Sequence, residues 1–217
     1  MAEKLTLVDS TMLPDHTLLR ADDEVYFWRE YTSGRDYSFG PGNDLISNLK
    51  KKPSTSNFYE LKHKQRVIGE CANFFAKAIN PVWVDGAVFV PVPGSKAVGH
   101  PDYDNRMERV FRAVRPSKPP DVRNLLVQGV STDAAHEAGG GHRPTPEELQ
   151  ANYQFDETIS ANVPKMIGIV DDVLTAGSHY RAVHGLLRHR FPDAWIVGFF
   201  VARRVFPPEP DFGAIDL

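Results

Sequence analysis

Apolar runs of strand length alternate with helical patterns along this chain. Short apolar runs occupy residues 87–92 (AVFVPV), 166–170 (MIGIV) and 195–201 (WIVGFFV). Between them, apolar residues at spacings of three and four predict helices at about 59–79 and 180–191. Strands that are apolar throughout are typical of a parallel sheet covered on both faces. The pattern therefore predicts an α/β fold, with a mostly parallel twisted sheet flanked by helices.

The N-terminal quarter of the chain has a different pattern. Residues 24–31 (EVYFWREY) are rich in β-forming types, Ser33-Gly34 is a turn signal, and residues 35–39 provide a return strand. Asn43 is then placed to cap a short helix. These signals predict a small β-hairpin followed by a helix, attached to the main sheet. The predicted parts are an N-terminal appendage at 1–58, an α/β core at 59–206 and a C-terminal tail at 207–217.

Composition narrows the class of protein. The 217 residues are 41% hydrophobic and 24% charged, which is ordinary for one globular domain with a small addition. A net charge of −3 gives no reason to expect a nucleic-acid-binding surface. No apolar run approaches the roughly 18 residues of a membrane span, and the N-terminus lacks the features of a signal peptide. The single cysteine, Cys71, fits a reducing compartment, so we expect a cytoplasmic protein.

The strongest candidates for a binding or catalytic site follow the apolar run at 166–170. Two carboxylates, Asp171 and Asp172, come next, and a small polar loop leads into the helix. Ligands bind at the carboxyl ends of strands in open α/β sheets. The backbone N–H groups at a helix start favour a phosphate, and ionised carboxylates suit sugar hydroxyls or a hard cation. A strand that ends in two acids also resembles the Walker B strand of a P-loop NTPase, but the chain has no G-x-x-x-x-G-K-[ST] loop.

The segment IGIVDDVLTAGS closely resembles the phosphoribosyl pyrophosphate (PRPP) motif of type I phosphoribosyltransferases. That motif is an apolar strand, two acids, two apolar residues and a T-[TA]-G-[TSA] loop. The resemblance implies a type I phosphoribosyltransferase fold, in which the aromatic N-terminal appendage packs on the core or forms a hood over the acceptor base. It also implies that Asp171 and Asp172 are the catalytic acids and face the ribose hydroxyls. The implied cradle for the 5′-phosphate is Thr175, Ala176, Gly177, Ser178 and His179.

A second loop, after the run at 87–92, resembles the pyrophosphate loop of the same family. Its V-P-V-P start is similar to the ComF-like branch, but this chain has Y-D-N-R where that branch carries R-G-F-N-Q. We expect Ser95, Lys96 and Arg106 to contact pyrophosphate, because lysine supplies a mobile charge and arginine a planar fork. The alternative is a solvated surface loop.

A glycine-rich segment lies between the predicted strands. Three consecutive glycines at 139–141 are flanked by His136, His142 and Arg143, and Thr145 then begins a capping box. The resemblance implies a mobile lid here, whose basic groups steady the departing pyrophosphate. A surface loop without a role is the alternative. The two histidines match no helix-based zinc pattern.

The implied reaction transfers a 5-phosphoribosyl group from PRPP to a nitrogenous acceptor, and it releases pyrophosphate. Mg²⁺ is expected on the substrate's oxygens, with Asp171 and Asp172 as further candidate ligands. Thr175 replaces the acidic residue of hypoxanthine-guanine enzymes, which argues against that acceptor class. The other function class is a non-catalytic PRPP- or nucleotide-binding regulator of the same fold. The acceptor and the oligomeric state stay open, with a homodimer as one expectation.

Overall fold

The computed structural model of the protein describes residues 4–131 and 144–207. The strands are β1 (Thr6–Leu7), β2 (Glu24–Thr32), β3 (Ala87–Pro91), β4 (Asp121–Val122), β5 (Leu126–Gln128), β6 (Tyr153–Phe155), β7 (Met166–Leu174) and β8 (Trp195–Val205). The helices are α1 (Pro41–Leu49), α2 (Phe58–Ala78), α3 (Pro81–Gly86), α4 (Arg106–Arg112), α5 (Pro146–Asn152) and α6 (Ser178–Arg190). Short 3₁₀ turns occur at Leu13–Asp15, Tyr37–Phe39 and Glu157–Ile159.

Six strands form one sheet in the order β1-β2-β8-β7-β3-β4. All neighbouring pairs are parallel except the edge pair β1–β2, which is antiparallel. The strands β5 and β6 form a separate antiparallel pair. The prediction of a mixed α/β protein with a mostly parallel central sheet is therefore confirmed.

Both faces of the sheet are covered, which explains why its central strands are apolar throughout. On one face α1, α2 and α4 contribute Leu49, Phe75 and Phe111 to a single core. On the other face α6 contributes Tyr180 and Leu187, and β6 and α5 pack beside it. The five residues of β3 are all buried. Burial on two sides is what continuous apolar runs require in a parallel sheet.

The predicted N-terminal hairpin is wrong. Residues 24–32 form a strand, but its parallel partner is β8, with Val25 opposite Gly198. Residues 35–39 form no return strand and instead contain the turn Tyr37–Phe39. The β-forming pattern was sufficient to predict a strand but contained no information about its partner, because pairing of distant segments leaves no local signal. The segment is part of the main sheet, and Trp28 stacks on Phe74 of α2 with ring centroids 4.1 Å apart.

Asn43 does not cap the short helix. The helix α1 begins two residues earlier, at Pro41, which favours the first helical position. The side chain of Asn43 is buried and turns back to the end of β2. It accepts a hydrogen bond from the N–H of Thr32 at 2.9 Å and donates to the carbonyls of Thr32 and Arg35, both at 3.0 Å. Asn43 therefore closes the β2–α1 connection.

The strand β7 is longer than its apolar run predicts. It continues through the two acids to Leu174, because β8 also extends beyond its apolar run and offers partners there, with Leu174 opposite Arg203. The helices at 58–78 and 178–190 begin and end close to their predicted bounds. Cys71 is fully buried in α2, and burial raises its thiol pKa to about 12.

Candidate functional site

The predicted site residues that the structure describes lie at or near the carboxyl edge of two neighbouring parallel strands. The loop after β3 and the loop after β7 leave the sheet side by side, and the N–H of Val92 donates to the carbonyl of Val170 at 3.0 Å. Ser95 and Lys96 lie half-buried on the first loop. Residues 175–177 form the second loop. Ligands of open parallel sheets bind at such an edge.

The loop after β7 leaves the first backbone donors of α6 open. Gly177 precedes the helix with φ of +97°, a left-handed conformation that glycine adopts without steric cost. No side chain caps this helix, and within the described residues no hydrogen bond reaches the N–H groups of Gly177, Ser178 or His179. Thr175 is exposed at the mouth of the loop. These donors are oriented as an anion site requires.

A segment near the N-terminus supports this loop from behind. The ring Nδ1 of His16 donates to the carbonyl of Thr175 at 2.5 Å, and the N–H of Leu18 donates to the carbonyl of Ala176 at 2.9 Å. A side chain added at Gly177 would lie 3.3 Å from Leu19. Burial lowers the pKa of His16, which keeps its ring neutral. Because His16 and Leu18 bind the carbonyls of the loop, the N–H groups of the loop stay available to a ligand.

Asp172 is buried between two cations. Its Oδ2 accepts from Arg106 Nε at 2.7 Å and from the guanidinium's second nitrogen at 2.5 Å, and its Oδ1 lies 3.2 Å from Lys50 Nζ. Burial alone would raise the pKa of Asp172, but the two cations outweigh it and hold that pKa well below its usual range. Asp172 is therefore ionised and fully paired.

A buried lysine extends the same charge network. Lys64, in the middle of α2, is only 2% exposed. Its Nζ donates to Asp104 Oδ2 at 2.5 Å and to the carbonyl of Lys51 at 2.6 Å. The same oxygen of Asp104 accepts from Arg106 at 2.7 Å. Charges thus alternate from Lys64 through Asp104 and Arg106 to Asp172, so each buried ion has a partner of opposite sign.

Asp171 has different surroundings from its neighbour. Its Oδ1 accepts from the N–H of Asp172 at 2.8 Å. Burial and the nearby charge of Asp172 raise the pKa of Asp171 well above its usual range, so it holds its proton more readily. The hydroxyl of Tyr153 lies 2.8 Å from His179 Nδ1, and burial followed by the charge of Asp171 raises the pKa of that phenol. The two acids are therefore chemically distinct.

The structure brings together the acid pair, the loop 175–177 and one of the three residues predicted to contact pyrophosphate. Arg106 reaches Asp172 directly, whereas Ser95 and Lys96 lie on the adjacent loop. That loop is tied by the N–H of Ala97, which donates to Ser131 Oγ at 3.0 Å. The predicted lid residues His136, His142 and Arg143 lie outside the described residues.

Sequence reasoning missed Lys64, Asp104, Tyr153 and His16. One of them carried a readable signal, because Lys64 falls on the apolar stripe of α2 between Leu61 and Ile68. A lysine on such a stripe is buried only when it is paired. Lys50 directly follows α1, and its ammonium pairs with Asp172.

The described residues contain no cluster of three histidine, cysteine, aspartate or glutamate side chains placed to hold a metal. Both oxygens of Asp172 are already taken by cations. Asp172 therefore has little to offer to a protein-held Mg²⁺, whereas an ion that arrives on a substrate's phosphates would need few protein ligands. None of the described helices is both long enough and apolar enough to cross a membrane.

A separate cleft of about 390 Å³ lies at the other end of the strands. It is lined by α6 residues Arg181 and Arg188 and by the first residues of β2 and β8, Glu24 and Trp195. Arg181 pairs there with Asp23, so it is not positioned for a substrate at the carboxyl edge. Comparison of the chain with protein-family models gives no match, and comparison with curated proteins also gives none.

Proposed function

We propose that this protein is a phosphoribosyltransferase that binds PRPP at the carboxyl edge of β3 and β7. One observation carries the proposal: the open N–H groups at the start of α6 lie next to the acid pair and to Arg106, all at one strand edge. A phosphate at the helix start, hydroxyls at the acids and a second anion at the guanidinium match the three parts of PRPP in order.

The proposed reaction breaks the bond between the ribose and pyrophosphate and forms a bond between the same ribose carbon and a nitrogen of the acceptor. The N–H groups of Gly177 to His179 bind the 5′-phosphate and fix the sugar. Asp171 and Asp172 then lie beside the ribose, where carboxylates stabilise the positive charge that develops as the bond loosens. Arg106 and Lys50 bind the departing pyrophosphate through charge-assisted hydrogen bonds. Mg²⁺ bound to the substrate would neutralise part of its phosphate charge.

Two measurements test this function. Calorimetry with Mg-PRPP measures binding, and a screen of bases and amines for pyrophosphate release measures turnover. We expect Asp172→Asn to abolish turnover. Asp85→Asn is the matched control, because Asp85 also pairs with one arginine and one lysine, Arg115 and Lys118, but at the protein surface. Turnover by Asp172→Asn at the rate of Asp85→Asn would contradict the role of Asp172.

The second candidate is a PRPP- or nucleotide-binding regulator that performs no transfer. The full pairing of Asp172 with Arg106 and Lys50 favours it, because a neutralised carboxylate contributes less to a developing positive charge. The same calorimetry separates the two functions. Binding of Mg-PRPP without pyrophosphate release for any acceptor supports the regulator, and release for one acceptor supports the enzyme.

A further inference from the structure

We propose that Asp172 is an internal competitor for the site's own cations, and that a diphosphate ligand binds by displacing its carboxylate. The inference rests on the proposed function only in placing an anion at Arg106. It concerns how the ligand gains access to these cations.

Three of the five N–H donors of Arg106 are used within the protein, including the two on the edge formed by Nε and one terminal nitrogen. Nε and one terminal nitrogen bind Asp172, and the other terminal nitrogen binds Asp104. An incoming phosphate therefore finds a guanidinium edge that a carboxylate already occupies. Lys50 holds the second oxygen of the same carboxylate. An anion that binds the Nε edge of Arg106 with two hydrogen bonds must therefore take the place of Asp172.

The network keeps Arg106 in position when Asp172 departs. Asp104 holds the guanidinium at 2.7 Å and also accepts from the backbone N–H of Arg106 at 3.2 Å. Lys64 holds Asp104 in turn, and its second hydrogen bond goes to the carbonyl of Lys51. Lys64 is therefore a positioning residue for Arg106. Lys50 has a side chain that is 42% exposed, so it is free to follow the ligand.

The charge of the ligand determines whether it can replace the carboxylate of Asp172. A carboxylate offers one negative charge and two oxygens, whereas a diphosphate offers more of both, so it can replace Asp172 and still bridge Arg106 and Lys50. Displacement also releases the carboxylate of Asp172 at the moment when the ligand arrives. The acid becomes available to a ribose hydroxyl only in the loaded site.

The test is calorimetric titration of inorganic pyrophosphate into wild-type protein, Asp172→Asn and the control Asp85→Asn. We expect Asp172→Asn to bind pyrophosphate about tenfold more tightly than wild type, which equals the loss of about one charge-assisted hydrogen bond by the competitor. Asp85→Asn, with the same change in net charge, is expected to bind like wild type. Circular dichroism checks that both variants are folded. Equal or weaker binding by folded Asp172→Asn overturns the proposal.

Two further measurements test the displacement of Asp172 and the positioning role of Lys64. The first uses the NMR resonance of the Arg106 Nε–H group, which is assigned by its loss in Arg106→Lys. In wild-type protein this resonance is expected to shift when pyrophosphate is added. An unchanged resonance overturns the proposal even if Asp172→Asn fails to fold. Adding Lys64→Met to Asp172→Asn is expected to reverse the gain in affinity, whereas a retained gain removes the positioning role of Lys64.

The outcomes for the two proposals are distinguishable. Tighter pyrophosphate binding by Asp172→Asn, with no PRPP turnover by wild type for any acceptor, supports the competition and rejects the enzyme. Turnover by wild type, with unimproved pyrophosphate binding by Asp172→Asn, rejects the competition and supports the enzyme.

Discussion

Replacing Lys64 by methionine tests whether the buried charge network stabilises the fold. Methionine keeps most of the side chain's apolar stem but removes the ammonium between Asp104 and the carbonyl of Lys51. Breaking a buried ion pair by removing one partner costs about 3–5 kcal/mol, because the other charge stays buried. Asp104 retains Arg106 at 2.7 Å. We therefore expect a loss at the lower end, about 3 kcal/mol in the free energy of unfolding.

Urea unfolding followed by tryptophan fluorescence measures this loss, since the chain has three tryptophans. Lys62→Met is the matched control, because Lys62 lies exposed on the same helix and its loss should cost no more than about 0.5 kcal/mol. In the background of Asp104→Asn, the cost of Lys64→Met should shrink, because no unpaired carboxylate is left behind. Equal unfolding free energies for Lys64→Met and Lys62→Met would refute the reasoning.

Three other substitutions test the loop, the acid pair and the β2–α1 connection. Gly177→Ala should lower stability by about 1 kcal/mol, because φ of +97° is unfavourable for alanine, and an unchanged melting temperature would contradict this. The pKa of Asp171 is raised above 3.8 in the native state. Above pH 3.8 the native state therefore keeps a proton that the unfolded chain loses, and the free energy of unfolding should fall as the pH rises. Asp171→Asn should remove this slope, which is at most about 1.4 kcal/mol per pH unit, and parallel profiles in urea unfolding would argue against it. Asn43→Ala should cost about 3 kcal/mol for its three hydrogen bonds, and clearly more than Asn48→Ala, whose bonds stay within α1 at Asp44.

The local parts of the fold were predictable because they leave a periodic signal. The start of β7 at Met166 and both ends of α6 are close to their predicted positions, and Thr145 and Glu148 form the predicted capping box. These features depend on neighbours within one or two turns of the chain. The partner of β2 was not predictable, because the pattern of EVYFWREY is equally suited to a hairpin and to a strand inside a parallel sheet.

The candidate site was predictable where it is one continuous segment and not where it is assembled. The loop 175–179 and its acids are adjacent in the sequence, so their chemistry could be read directly. Asp172 of β7 pairs with Lys50 at the end of α1 and with Arg106 of α4. Asp104 adds a pair with Lys64 of α2. No spacing rule connects such distant elements. The support from His16 likewise crosses 159 residues of sequence.

Pairing of β2 with β8 has a consequence for how the chain is made. Trp195 Nε1 donates to the carboxylate of Glu24 at 2.8 Å, across 171 positions. On the ribosome, β2 emerges early and has no β8 to pair with until almost all of the described chain has been synthesised. Its open edge is exposed during that time, and unpaired edges of this kind promote association between nascent chains. Slow translation should therefore reduce the yield of this protein more than that of a protein whose neighbouring strands are consecutive.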